Sequence, residues 1–190
     1  MKTIYLAGGC FWGMQKFLDQ FEGVVKTEVG YANGPDTAPS YRDVCNNSGH
    51  AETVRVDYDE TVLPLAKLLD FYFTVIDPLS VNRQGADCGV QYRTGVYYTD
   101  AEQLPAIDAA FRKVSEQVGA PLAVEKKPIE NFFSAEEYHQ KYLDKNPAGY
   151  CHIPRTMFHL EKERTLFPVA KEEQGETEKE QIGRASCRER

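Results

Sequence analysis

Several things this sequence lacks narrow its chemistry. No C-x-x-C pair occurs, and the five cysteines, Cys10, Cys45, Cys88, Cys151 and Cys187, are odd in number and far apart in a chain of 190 residues. Small stapled domains carry dense, even cysteine frameworks, so structural disulfides are not expected. None of the four histidines shares a finger-like spacing with two cysteines, so no metal site is expected either. Positive charge is short as well: 22 Lys and Arg stand against 29 Asp and Glu, a net charge of -7. That balance offers no basic footprint for nucleic acid or an anionic membrane. No apolar run approaches the roughly 18–20 residues of a membrane span. The amino-terminal apolar stretch, Ile4 to Ala7, is shorter than the roughly 7–15 residues of a signal-peptide core. The expectation is a soluble, cytoplasmic protein whose thiols are either reactive or simply buried.

What is present is a regular alternation of elements. Thr3 to Leu6 reads as a strand running into Gly8-Gly9, after which Phe11, Met14, Leu18 and Phe21 recur at helical spacing up to Gly23. Val25, Thr27, Val29 and Tyr31 alternate with polar residues as in a half-buried strand, and "NGPDTAPS" breaks the pattern. In the next alternating run Val54, Val56 and Tyr58 share one face, and Glu52 has the parity of that face. Pro64 followed by Leu65, Leu68, Leu69, Tyr72 and Ile76 predicts an amphipathic helix. The loop "SVNRQGADCG" leads to a strand around Tyr92 to Thr99, then to a helix carrying Leu104, Ile107, Phe111, Val114 and Val118 and stopping at Gly119, with Pro105 placing its start after Asp100. A strand near Leu122 to Glu125 follows. "SAEE" at 134–137 reads as a capping box for a helix holding Tyr138 and Tyr142 and ending at Asn146-Pro147. Strands that alternate, mixed with helices, predict an α+β fold: a single-domain two-layer sandwich with a mixed or antiparallel sheet and a ferredoxin-like core.

One short stretch concentrates the chemistry. "GGCFWG" at 8–13 puts Cys10 between glycines, at the predicted start of a helix and beside the only tryptophan. Unpaired N–H groups at a helix N-terminus favour a thiolate, so Cys10 is placed to be a nucleophile of lowered pKa. Phe11 and Trp12 can wall an apolar pocket beside its sulfur. The alternative is a small buried hydrophobe next to core aromatics, the commoner fate of each residue type alone. Glu52 on a core-facing position would have its ionised form disfavoured and could stay protonated, hence a proton donor, near pH 7. A Glu at a strand end with its head in water is the plainer reading.

Taken together, "GGCFWG", "SYRDVCNNSGHAE", "IDPLSVNRQGADCGVQYR" and "YHQKYLDKNPAGYC" closely resemble the peptide methionine sulfoxide reductase A family over roughly residues 3 to 152. The resemblance implies an oxidoreductase that reduces free or peptide-bound methionine (S)-sulfoxide to methionine, repairing oxidised proteins. It assigns Cys10 as nucleophile, Glu52 as acid, Tyr41 and Tyr92 as phenols bonded to the sulfoxide oxygen, Phe11 and Trp12 as the seat of the S-methyl group, and Asp87 as an anchor for the methionine backbone. Cys151 matches the resolving cysteine, which forms a disulfide with Cys10 after a sulfenic acid stage. Thioredoxin, or dithiothreitol in vitro, then restores the dithiol, and no bound cofactor is implied. Cys45 and Cys88 match no catalytic position. A Cys-His hydrolase using His50 or His152, and a thiol switch without turnover, are the rival readings.

The catalytic domain is expected to span 1–168 and the chain to act as a monomer. Residues 169–190 are acidic, with almost no apolar side chains, and are expected to be a disordered tail. Its last part, "IGRASCRER" at 182–190, is what a common sequencing adapter encodes when translated, so it is expected to be non-native and Cys187 to carry no function. Resequencing the source gene across this junction checks that.

Overall fold

A computed structural model describes residues 1–160. The expected tail at 169–190, its adapter-like end and the last residues of the expected 1–168 domain lie outside the described residues. In chain order the elements are β1 (Lys2–Gly8), α1 (Phe11–Leu18), β2 (Val24–Ala32), α2 (Tyr41–Cys45), β3 (Ala51–Tyr58), α3 (Leu65–Thr74), β4 (Arg83–Gln84), β5 (Asp87–Cys88), β6 (Thr94–Tyr98), α4 (Leu104–Val118), β7 (Glu125–Pro128), β8 (Phe132–Ser134) and α5 (Tyr142–Lys145). Six strands form one sheet in the order β7-β6-β1-β3-β2-β8, antiparallel except for the parallel β6–β7 pair, and β4 and β5 make a small hairpin.

The inner four strands explain the shape. β1 and β2 both run antiparallel to β3, so they are parallel to each other and α1 is the crossover between them; α3 is the crossover from β3 to β6. Two interleaved βαβ units with the fourth strand beside the first make the ferredoxin-like core the sequence predicts. Period-two burial drives it. Ile4 and Leu6 of β1, Val29 and Tyr31 of β2, Val54, Val56 and Tyr58 of β3 and Val96 of β6 face one side. There they meet Met14, Phe17 and Leu18 of α1 and Leu65, Leu68, Leu69 and Tyr72 of α3. Each such side chain removed from water contributes about 1.5–3 kcal/mol. α4 lies over α3 and adds Ile107 and Ala110 to the same core. On the opposite face Ala7, Ala32, Ala51 and Tyr97 form a thinner layer covered by Tyr5, Ile129 and Phe132.

Five local expectations need correction. The helix expected to run from Phe11 up to Gly23 ends at Leu18. The strand placed at 92–99 begins only at Thr94, because Tyr92 belongs to a 3-10 turn, Val90–Tyr92. The strand placed at 122–125 begins at Glu125. "NGPDTAPS" does not lead straight into the next strand: Ser40 and Asp43 form a reciprocal capping box that starts α2. "SAEE" caps no helix. Ser134 ends β8, Glu137–His139 is a 3-10 turn, and Lys141 takes the left-handed region (φ 53), separating Tyr138 from α5. The predicted start of α4 after Asp100 and its stop at Gly119 (φ 70) match the structure. Among the described residues no helix is long and apolar enough to cross a membrane.

Candidate active site

β1 delivers the cysteine. After Gly8 the chain turns through Gly9 in the left-handed region (φ 82), where an added Cβ would also lie 2.7 Å from Gln84 Cβ, so the position takes only glycine. Cys10 is thereby set as the N-cap of α1 and is 7% exposed. Its thiol is not the lowered-pKa group the sequence suggested. Burial pushes it well up, and the Glu52 and Asp87 carboxylates push the same way, while the Trp12 backbone N–H pulls down. Desolvation of the sulfur outweighs the helix terminus because the first free N–H, that of Phe11, is already donated at 3.0 Å to Glu52 Oε2.

Glu52 sits in β3 opposite Tyr31, on the helix-covered face, and is 1% exposed. Burial raises its carboxyl to about 8 despite the Phe11 N–H bond. It is therefore mostly protonated at neutral pH, beside the cysteine rather than at the sheet's wet edge. Tyr41, the first residue of α2, and Tyr92, in the 3-10 turn before β6, approach from either side. Burial raises both phenols; next in size come the Cys45 hydrogen bond for Tyr41 and the Glu52 charge for Tyr92. Each remains a donor across the physiological range.

Phe11 is buried against Tyr31, with ring centroids 5.8 Å apart, whereas Trp12 is partly exposed and stacks on Tyr142 of α5 at 3.7 Å. Asp87, in β5, accepts a 3.0 Å hydrogen bond from the Tyr150 hydroxyl and faces His152 at 3.9 Å, and its Oδ2 has no hydrogen-bond partner. Cys151 lies on α1. An added Cβ at Gly13, one turn beyond Cys10, would come 2.6 Å from Cys151 Sγ. Both thiols are free, and Cys151 is near enough to weigh on the Cys10 pKa. Burial raises the Cys151 thiol, opposed by the Ile153 N–H and by Arg155.

The fold thus gathers Cys10, Phe11, Glu52, Tyr41, Tyr92, Asp87 and Cys151 around one helix end. Cys45 and Cys88 are exposed, although Cys45 contacts Tyr41. His50 is occupied elsewhere, bonded to Ser48 Oγ and Pro35 O at 2.9 Å each. Sequence reasoning missed Glu136, which takes the Tyr31 hydroxyl at 2.7 Å and the Tyr41 N–H at 2.8 Å, and the fully buried His139. Their signal was an acid and a histidine three apart among tyrosines, hidden under an apparent helix cap. Among the described residues no group of three or more His, Cys, Asp and Glu could hold a metal.

The chain aligns with the peptide methionine sulfoxide reductase family over residues 2–170. It belongs to that family. A peptide methionine sulfoxide reductase MsrA of Lachnoclostridium phytofermentans is 54% identical over 158 residues, 83% of this chain and 95% of the relative. Among solved structures, Mxr1 from Saccharomyces cerevisiae in reduced form superposes with a TM-score of 0.75 at 39% identity, covering 79% of this chain and 88% of the other. Mxr1 in complex with Trx2 gives a TM-score of 0.53 at 27% identity over 74% and 84%. As a methionine sulfoxide reductase, the chain is an oxidoreductase that works with thiols on methionine (S)-sulfoxide.

Proposed function

We propose that Cys10 attacks the sulfur of methionine (S)-sulfoxide while Glu52 donates its proton to the sulfinyl oxygen, with Tyr41 and Tyr92 hydrogen-bonded to that oxygen. The observation that carries this is the Glu52 carboxyl, buried and raised to about 8, with Oε2 on the N–H of the residue after the cysteine. An S–O bond breaks readily only when its oxygen is protonated, and a carboxyl kept neutral near pH 7 supplies that proton at low cost. As the sulfur–sulfur bond forms, the cysteine thiol gives up its own proton, which restores Glu52. The oxygen passes to Cys10: thiol and sulfoxide become sulfenic acid and methionine, one oxidised and the other reduced by two electrons.

Phe11 and Trp12 seat the S-methyl group, and Asp87 accepts a hydrogen bond from the substrate backbone. Cys151 then condenses with the Cys10 sulfenic acid, releasing water and forming a disulfide. Cys151 resting over Gly13, one turn along α1, supports this, since only a short swing of the turn "NPAGYC" is needed. A thioredoxin reduces that disulfide by exchange, a role supported by the yeast relative solved in complex with Trx2. No bound cofactor is needed. The substrate is a free or peptide-bound methionine sulfoxide, the enzyme a cytoplasmic monomer, and the catalytic domain residues 1–168.

The test is dithiothreitol-driven reduction of a blocked methionine sulfoxide peptide resolved into its S and R epimers, with Cys10→Ser alongside. Turnover of the S epimer alone, lost in the variant, is expected. A folded protein that turns over neither epimer overturns the reading.

A further inference from the structure

Arg93 follows Tyr92 in the chain, and its side chain is only 11% exposed, deep cover for a permanent charge. Its guanidinium is taken up by four different segments. Nε donates to Glu125 Oε2 of β7 at 3.2 Å, Nη1 to the carbonyls of Gly49 and Val90 at 3.1 Å each, and Nη2 to the Asn33 carbonyl at 3.0 Å. Glu125 also accepts the Tyr97 hydroxyl at 2.6 Å. Burial works against the Glu125 charge, but the Tyr97 bond and Arg93 outweigh it and hold that carboxyl below its ordinary range. An ion pair alone would suit a lysine equally well. Three carbonyls met at fixed angles need the planar fork of arginine.

Those carbonyls belong to the three segments that carry the acid and the phenols. Val90 opens the 3-10 turn that ends in Tyr92, and Gly49 stands just before the strand of Glu52. Asn33 directly follows β2 and begins the loop that reaches Tyr41 at the start of α2. Nη1 has two hydrogens and gives one to Gly49 and the other to Val90, so a single atom spaces the Glu52 strand from the Tyr92 turn. Sheet pairing cannot do this, because β1 lies between β3 and β6. The Tyr41 loop has further braces, His50 on Pro35 O and Asn131 on Gly34 O, so the weight of Arg93 falls on Glu52 and Tyr92.

We propose that Arg93 is a positioning residue for the reduction step: laid across the Asn33, Gly49 and Val90 carbonyls, its guanidinium holds Tyr41, Glu52 and Tyr92 converged on the sulfinyl oxygen. It acts through those backbones and not on the substrate. This rests on the reading that the three groups serve that oxygen. Donors aimed at a developing charge must be in place before it forms, and a misplacement of about 1 Å can cost about 10²-fold.

The experiment is a double-mutant cycle of Arg93→Lys with Tyr92→Phe, read in a single turnover of methionine (S)-sulfoxide. Lysine keeps the charge opposite Glu125 but has no fork. The maximal rate of methionine release should fall by about 10–10²-fold, while the half-saturating sulfoxide concentration stays within about twofold, since Phe11, Trp12 and Asp87 are unchanged. In the Tyr92→Phe background the same substitution should cost at least about threefold less, because one of the groups it places is already gone. Disulfide closure, followed by thiol counts after methionine release, should keep its wild-type rate, as the turn "NPAGYC" takes none of the four bonds. A wild-type release rate, an equal loss in both backgrounds, a parallel loss in closure, or an Arg93→Lys protein without a cooperative thermal transition overturns the proposal, since each makes Arg93 dispensable or a general support of the fold. A wild type that reduces no sulfoxide overturns the functional reading and this proposal with it, whereas an active wild type with an uncoupled variant overturns the proposal alone.

Discussion

At the scale of single residues, Glu52 governs how the site responds to pH. Its carboxyl is useful protonated, so kcat/KM should fall as pH rises through about 8. Glu52→Gln keeps the shape and removes the transferable proton, which should lower kcat/KM by about 10²–10⁴-fold, measured as methionine release from a single turnover. The same group acts on stability. Raised from 4.5 to about 8 on folding, it binds an extra proton in the native state between those values. Its contribution is therefore complete below about 4.5 and is lost as pH rises through 8. Thermal unfolding at pH 5 and pH 8.5 should show Glu52→Gln gaining on the wild type at the higher pH; an unchanged difference would contradict a buried neutral acid. Parity alone put Glu52 on the covered face. The Cys10 pKa could not be read that way, because whether a helix terminus or desolvation wins depends on which acceptor takes the Phe11 N–H, and that acceptor comes from a strand 41 residues away in sequence.

At the scale of elements, α1 serves both sulfurs. Cys10 caps it and Cys151 rests on it at Gly13. Gly13→Ala should favour the helix by about 1 kcal/mol on propensity, which offsets part of the crowding, and thermal unfolding checks that the variant is folded. The new Cβ would stand 2.6 Å from Cys151 Sγ and must displace it. We expect the first methionine to be released at close to the wild-type rate. Overpacking of this kind costs about 1–3 kcal/mol, so disulfide closure should slow by about tenfold or more. Thiol counts after one equivalent of sulfoxide measure both. Long periodic elements were legible: β1, α1, β3, α3 and α4 emerged from apolar spacing alone. The short ones were not. α2 owes its existence to a Ser40 and Asp43 cap across four residues, and β8 is a strand only because it pairs with β2. "SAEEYHQ" carries a helix-start pattern, but Ser134 is held in β8 by pairing with β2 and Glu136 is taken by Tyr31 and Tyr41, contacts supplied by tertiary packing.

For the whole molecule, stability rests on the layer between sheet and helices, and Tyr72 ties the two together. It is fully buried on α3, and its hydroxyl donates to Ala7 O of β1 at 2.7 Å. Tyr72→Phe should cost about 1–2 kcal/mol in urea unfolding with kcat/KM unaltered, and Leu68→Ala, which opens a cavity, about 2–5 kcal/mol. Cys10, at the N-cap of α1, is itself only 7% exposed. Peroxides and alkylating agents react with thiolates and need access, and a deeply covered, protonated sulfur offers neither. Iodoacetamide should therefore label the exposed Cys45 and Cys88 well before Cys10, as peptide mapping would show. An enzyme that repairs oxidant damage meets the oxidants too. By keeping its nucleophile inert until a sulfoxide is docked, the fold separates the damaged side chain from the agent that damaged it, and each cycle begins with the cysteine unconsumed.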